Sequence, residues 1–192
     1  MQYILIIISS LFVSNVVLSK FLGICSFLGV SNKISSAIGM GAAVIFVMAL
    51  ANLITFIVQF YILAPLHIEF LQTLAFILVI AFLVQAVEII LKKVSPPLFQ
   101  ALGIYIPLIT TNCAPLGVAI WAIQYKYSLL ESVVFGASMA VGYTLALLLM
   151  AGMREQLQLV KIPKAMEGFP ITLIIGSLLA MAFMGFAGIV KI

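Results

Sequence analysis

The sequence predicts an all-α polytopic membrane protein, with six transmembrane helices as two inverted three-helix repeats and broken or half-membrane segments around the cysteines. Three observations carry this prediction. Of 192 residues, 66% are hydrophobic and only 7% charged, whereas a soluble domain carries about a quarter charged residues. Apolar stretches long enough to cross a bilayer core of about 30 Å recur along the whole chain. A cysteine-centred frame also occurs twice, as C-S-F-L-G-V-S from Cys25 and C-A-P-L-G-V-A from Cys113.

The first predicted span runs from the N-terminus through Leu18. It lacks a basic leader and a small-residue cleavage site, so it is expected to stay in the membrane rather than be removed as a signal peptide. The second span runs from about Ile38 to Leu63 and opens on the glycine-rich "IGMGAAV". The third runs from Phe70 to Val87. The fourth lies within Leu98–Ile123, inside an uncharged run from Val94 to Tyr125. As one continuous helix that run would reach about 48 Å, more than one crossing requires. The surplus predicts a broken or re-entrant segment, with Pro107, Pro115 and Gly117 as candidate breaks and Gly23 and Gly29 in the same role around Cys25. The fifth span covers Ser132 to Met153 and opens on "FGASMAVG"; the sixth covers Phe169 to Val190.

Basic residues in such a chain set orientation and give no signal for nucleic acid, despite a net charge of +4. Alternating loops place Lys20, Lys33, Lys92, Lys93, Arg154, Lys161 and Lys164 on one side and Lys126, Lys191 and His67 on the other. The positive-inside rule makes the first side cytoplasmic. The expectation is a multi-pass protein of the cytoplasmic (inner) membrane with both termini on the outer side.

Internal similarity divides the chain into residues 1–93 and 94–192. Besides the cysteine frames, "EFLQTLAFILVI" aligns loosely with "EGFPITLIIGSL". Three spans per half is an odd number, so the second half is inverted and a pseudo-two-fold axis lies in the membrane plane, as in many transport proteins. Cys25 and Cys113 become equivalent midplane positions. Non-helical backbone at that depth persists only when buried in protein or lining a cavity, which makes these two segments the candidate functional centre.

Two thiols in matched settings suit a soft metal centre: an iron–sulfur cluster, copper(I) or zinc. An iron–sulfur cluster usually takes four cysteines. This chain has two, so a copy or a homologue would supply the rest. The bland alternative is that both cysteines are small buried hydrophobes. Other polar residues have simple explanations as well. Lys20 snorkels to the interface or stands as a cation beside the central segment. Glu88 pairs with Lys92 at i+4. Glu69, His67 and Glu131 are solvated at loop edges, and Asn15 and Asn112 bond between helices. Trp121, Tyr125 and Tyr127 form an interfacial belt. With no phosphate-binding loop, dinucleotide fingerprint or Ser/His/Asp set, the chain holds no complete active site.

The stretches "KFLGICSFLGVS", "LQTLAFILVIAFLVQ", "GIYIPLITTNCAPLGVA" and "AFMGFAGIVKI" resemble the A-type membrane component of the Rnf complex, an ion-translocating ferredoxin:NAD⁺ oxidoreductase. They are also similar to the E-type component of the sodium-pumping NADH:quinone oxidoreductase. Ser26 is as in the quinone reductase relative, where the Rnf A type often carries proline, while Gly29 leans toward Rnf. The resemblance implies pairing with a homologous membrane subunit of opposite topology, of the Rnf E type, that supplies two further cysteines. Cys25 and Cys113 would then hold half of a shared midplane [2Fe–2S] cluster. That cluster would relay electrons across the membrane between ferredoxin- or NAD-linked subunits and others carrying flavin and iron–sulfur centres, coupled to Na⁺ or H⁺ movement. The rival readings are a stand-alone inverted-repeat secondary transporter and a structural anchor for redox subunits.

Overall fold

In lipid the backbone has no water to bond, so a crossing segment must satisfy its own amides and carbonyls within a helix. The computed structural model describes residues 6–66, 69–94, 106–160, 163 and 168–187, and every regular element among them is helical. A π-helical turn, Ser9–Val13, comes first. It is followed by α1 (Ile24–Val30) and α2 (Ile34–Val58), which runs on through a second π-helical turn, Gln59–Leu63. Next come α3 (Gln72–Val94), α4 (Ile106–Thr110), α5 (Cys113–Gln124), α6 (Leu129–Leu157) and α7 (Phe169–Ala187). Among the described residues, three stretches are long and apolar enough to cross a membrane: Ile34–Leu63, Gln72–Ile90 and Leu129–Leu157; Phe169–Gly185 is a shorter apolar helix.

The centre of the fold is the packed pair α2 and α6. A side chain on Gly41 would run into Thr144, and one on Gly136 into the amide of Asn52. Each glycine is the eighth residue of its helix, and the two contacts show that the helices run antiparallel and mirror one another along the crossing. Small residues matter here because apolar burial drives no association between helices in lipid, and close packing must do so instead. Around these contacts Met40, Val44, Val47, Met48 and Ala51 of α2 meet Met139, Ala140, Ala146, Leu147 and Met150 of α6 in the core. On α3 the buried Phe76, Ile80, Leu83 and Val84 follow helical spacing, while Leu74, Leu78, Phe82 and Ile89 are exposed and present an apolar outer face.

The first predicted span departs from a continuous helix. Regular structure stops at Val13, and Ser14–Gly23 is irregular before α1 begins. Asn15 explains the break. Its Oδ1 accepts from the amides of Val17 at 3.1 Å and Leu18 at 3.4 Å, a local arrangement that competes with helix. Its Nδ2 donates across to the Gly142 carbonyl of α6 at 2.7 Å. That approach is tight: a Cβ on Gly142 would lie 3.1 Å from the Leu11 carbonyl oxygen.

The fourth span is broken, as expected, but at Thr111–Asn112 between α4 and α5 and not at the prolines. Pro115 sits in the first turn of α5, where a missing N–H costs no helical bond, and Pro107 lies within α4. Gly29 and Gly117 lie inside helices, leaving Gly23 as the predicted breaker that marks a break. Helix α6 extends beyond Met153 to Leu157; charge ends an apolar run without ending a helix. His67 and the end of the sixth span beyond Ala187 lie outside the described residues.

Candidate cysteine site

Cys25 is the second residue of α1 and Cys113 the first of α5. Both thiols are free and exposed at the surface of the chain. The two helix starts are brought together by Gly23, whose N–H donates to the Sγ of Cys113 at 3.0 Å. Gly23 has φ +81°, the left-handed region in which an L side chain is strained. Space forbids one too: a Cβ there would stand 3.0 Å from Asn112 Oδ1, 3.2 Å from Ala114 Cβ and 3.3 Å from Tyr143 Cε2.

Asn112 caps α5, its Oδ1 accepting from the Ala114 amide at 3.0 Å. Such a cap satisfies an orphan donor of the first turn and orients the helix start that carries Cys113. The positive end of the helix dipole therefore lies at that residue. Beyond the cysteines the two frames interlock. A Cβ on Gly117 would collide with Leu22, from just before α1, and one on Gly29 would touch Leu108 of α4 at 3.6 Å. The equivalent glycines of the two frames thus each receive a leucine from the other frame's approach. Lys20 spans the same junction, its ammonium 5.6 Å from the centre of the Trp121 ring. Trp121 is therefore a cation–π partner of Lys20 as well as a candidate belt residue.

Helix α6 holds α1 from behind. The Tyr143 hydroxyl donates to Ser26 Oγ at 2.8 Å, and Ser26 Oγ donates to the Gly23 carbonyl at 3.0 Å. At the other end Arg154 Nη1 donates to the Leu28 carbonyl and to Ser31 Oγ, both at 2.8 Å. A cation on the last carbonyls of a helix is favourable. Seven residues make a helix too short to persist alone, so these clamps keep Cys25 where it is.

Chemically, the arrangement offers two thiols at one exposed junction with a backbone N–H aimed at one of them. Among the described residues no group of three or more His, Cys, Asp or Glu could hold a metal ion. Two thiols would supply half of the ligands of a soft, four-ligand centre.

Sequence reasoning picks out both cysteines but misses four residues that place them. Gly23 is foreseen only as a helix breaker. Ser26 is singled out only as a mark of the family branch and Arg154 only as an orientation charge, while Tyr143 carries no signal beyond its polarity within an apolar run. Asn15 bonds between segments as expected, while Asn112 is a cap. Glu131 is not simply solvated: its carboxylate accepts from the Ser128 N–H and hydroxyl, each at 3.0 Å, in a capping box at the start of α6. Tyr125 and Tyr127 cluster with Phe135, at ring separations of 6.2 and 5.3 Å.

Residues 3–190 match a protein family described as "Rnf-Nqr subunit, membrane protein". The chain is 58% identical over 188 residues to the A-type component of the Na(+)-translocating ferredoxin:NAD(+) oxidoreductase complex of Acetobacterium woodii, covering 98% of each chain. It is 57% identical over 186 residues to the A-type component of an ion-translocating oxidoreductase complex of Syntrophotalea carbinolica, covering 97% of this chain and 96% of the relative. The protein of the same description from Vibrio vulnificus is 50% identical over 190 residues, 99% of both chains.

Proposed function

Because the chain belongs to the Rnf-Nqr family of membrane subunits, we propose that it is the A-type membrane component of an ion-translocating ferredoxin:NAD⁺ oxidoreductase complex. In this reading Cys25 and Cys113 hold half of a [2Fe–2S] cluster. The other half comes from two cysteines of a homologous subunit of opposite topology. The observation that carries the reading is the contact between the Gly23 amide and the Cys113 sulfur. It joins the two cysteine-bearing helix starts at an exposed face, where a second chain can complete the ligand set.

When bound, such a cluster accepts and passes on one electron at a time. The chain's own part is to bind and to hold. Cys25 and Cys113 supply thiolates, Gly23 supplies a hydrogen bond to sulfur, and Asn112 orients the start of α5. Burying the junction against a partner would lower the local dielectric, so a change of one charge there would act strongly on a nearby Na⁺ or H⁺. The mirrored Gly41–Thr144 and Gly136–Asn52 contacts and the interlocked frames support the six-span inverted-repeat reading. The distribution of basic residues supports placing both termini outside.

The test is iron content and electron paramagnetic resonance on the dithionite-reduced protein, co-purified with its homologous partner. About two irons per pair and a reduced [2Fe–2S] signal are expected, both lost in Cys25→Ser and Cys113→Ser. An iron-free complex that is equally stable in all three forms would favour the transporter or anchor reading instead.

A further inference from the structure

We propose that Tyr143 is a positioning residue for electron transfer: acting through Ser26 on the Gly23 carbonyl, it fixes the backbone conformation of Gly23 so that the N–H on the other side of its Cα stays on the Cys113 sulfur, and it thereby sets the reduction potential of the centre at that sulfur. This inference rests on the cluster reading above and assigns a role to two residues that are not themselves ligands.

Tyr143 and Ser26 lie 117 residues apart in sequence and are almost completely buried. A phenol inside an apolar span needs a partner for its O–H, and this one has a specific partner, Ser26 Oγ, at 2.8 Å. The serine hydroxyl has a single proton. By donating to Ser26, Tyr143 occupies an acceptor position of that oxygen, and the serine's own proton goes to the Gly23 carbonyl at 3.0 Å. Each bond in such a chain polarises the next. The Phe27 amide reaches the same carbonyl, also at 3.0 Å. The tyrosine ring closes the last side, since Cε2 stands 3.3 Å from where a Cβ on Gly23 would be.

Gly23 is thus held by hydroxyl, amide and ring in a backbone conformation that it would otherwise leave readily, because glycine has the widest choice of φ and ψ. What that conformation achieves is the 3.0 Å bond from its N–H to Cys113 Sγ. A hydrogen bond to a ligating sulfur stabilises the more negative, reduced state and raises the potential.

A purely structural role for Tyr143 would lower the stability or cluster content of a variant without moving the potential of the clusters that remain. The experiment is a redox titration followed by electron paramagnetic resonance on the intact complex carrying Tyr143→Phe, Ser26→Ala or both. Tyr143→Phe removes one oxygen and keeps the ring. Expected is near wild-type iron content with about a tenfold fall in the equilibrium constant for reduction, equivalent to about 59 mV for a one-electron couple. Ser26→Ala is expected to shift the potential in the same direction, and the double variant to fall no further than the larger single shift. A wild-type potential in both single variants, or fully additive shifts in the double, would overturn the proposal. If Tyr143→Phe does not assemble, Ser26→Ala decides alone, on the same criterion. A wild-type complex without a cluster signal would instead remove the reading on which the proposal rests, and so be told apart from its failure.

Discussion

The backbone amide of Gly23 donates to the sulfur of Cys113 at 3.0 Å, across 90 residues of sequence. This one bond ties the start of the Cys25 helix to the start of the Cys113 helix, and its geometry depends on a residue without a side chain.

Gly23→Ala should therefore be damaging out of proportion to its size. The left-handed backbone costs an L residue about 1–2 kcal/mol, and the new methyl would press on Asn112, Ala114 and Tyr143. Gly29→Ala is the control, since its methyl would meet only Leu108 at an ordinary 3.6 Å. Thermal unfolding and iron content of the complex should both fall in the first variant and hold in the second.

Glycines of α6 should divide by neighbour and not by position in the membrane. Gly136→Ala drives a methyl into the Asn52 amide, an overpacking cost of about 1–3 kcal/mol. Gly152 has nothing within 4 Å of where its Cβ would stand, so Gly152→Ala should stabilise by up to about 1 kcal/mol through helix propensity. Equilibrium unfolding in mixed micelles would measure both. A loss at Gly152 equal to that at Gly136 would refute the packing account.

Arg154 should matter more than an orientation charge does. Arg154→Ala removes hydrogen bonds to Leu28 and Ser31 from a charged donor, worth about 1.5–3 kcal/mol each in favourable settings. Arg154→Lys keeps a cation at the end of α1 but loses the planar fork, so an intermediate stability is expected. Limited proteolysis between α1 and α2 should rank the three proteins in the order wild type, lysine, alanine.

The capping box at the start of α6 should show coupling. Ser128→Ala is expected to cost about 1 kcal/mol. Because Glu131 accepts both the Ser128 N–H and hydroxyl, the Ser128→Ala/Glu131→Ala double variant should lose less than the sum of the single variants. Additive losses in denaturant titrations would show that the two residues act separately.

Much of this architecture is legible in residue order. The apolar runs that become α2, α3, α6 and α7 are locally encoded. The pairing of Cys25 with Cys113 is visible in the repeated frame. The positions of the breaks are not. Proline suggests itself at positions 107 and 115, yet both residues lie within helices, and the interruptions fall where Asn15 and Asn112 offer side-chain oxygens to nearby amides. An asparagine that bonds its own backbone looks the same in sequence as one that bonds a neighbouring helix.

Hydropathy and repetition are properties of residue order, so they alone make this chain a helical membrane protein with two cysteines in matched surroundings. Which groups surround the sulfurs is a matter of packing. Tyr143 reaches Ser26 beside Gly23, and Arg154 reaches the far end of the same helix, only because α6 packs against α2 and lies behind α1. Apolar length specifies a crossing, while hydrogen bonds and close glycine contacts depend on the rotation and depth at which the crossings pack.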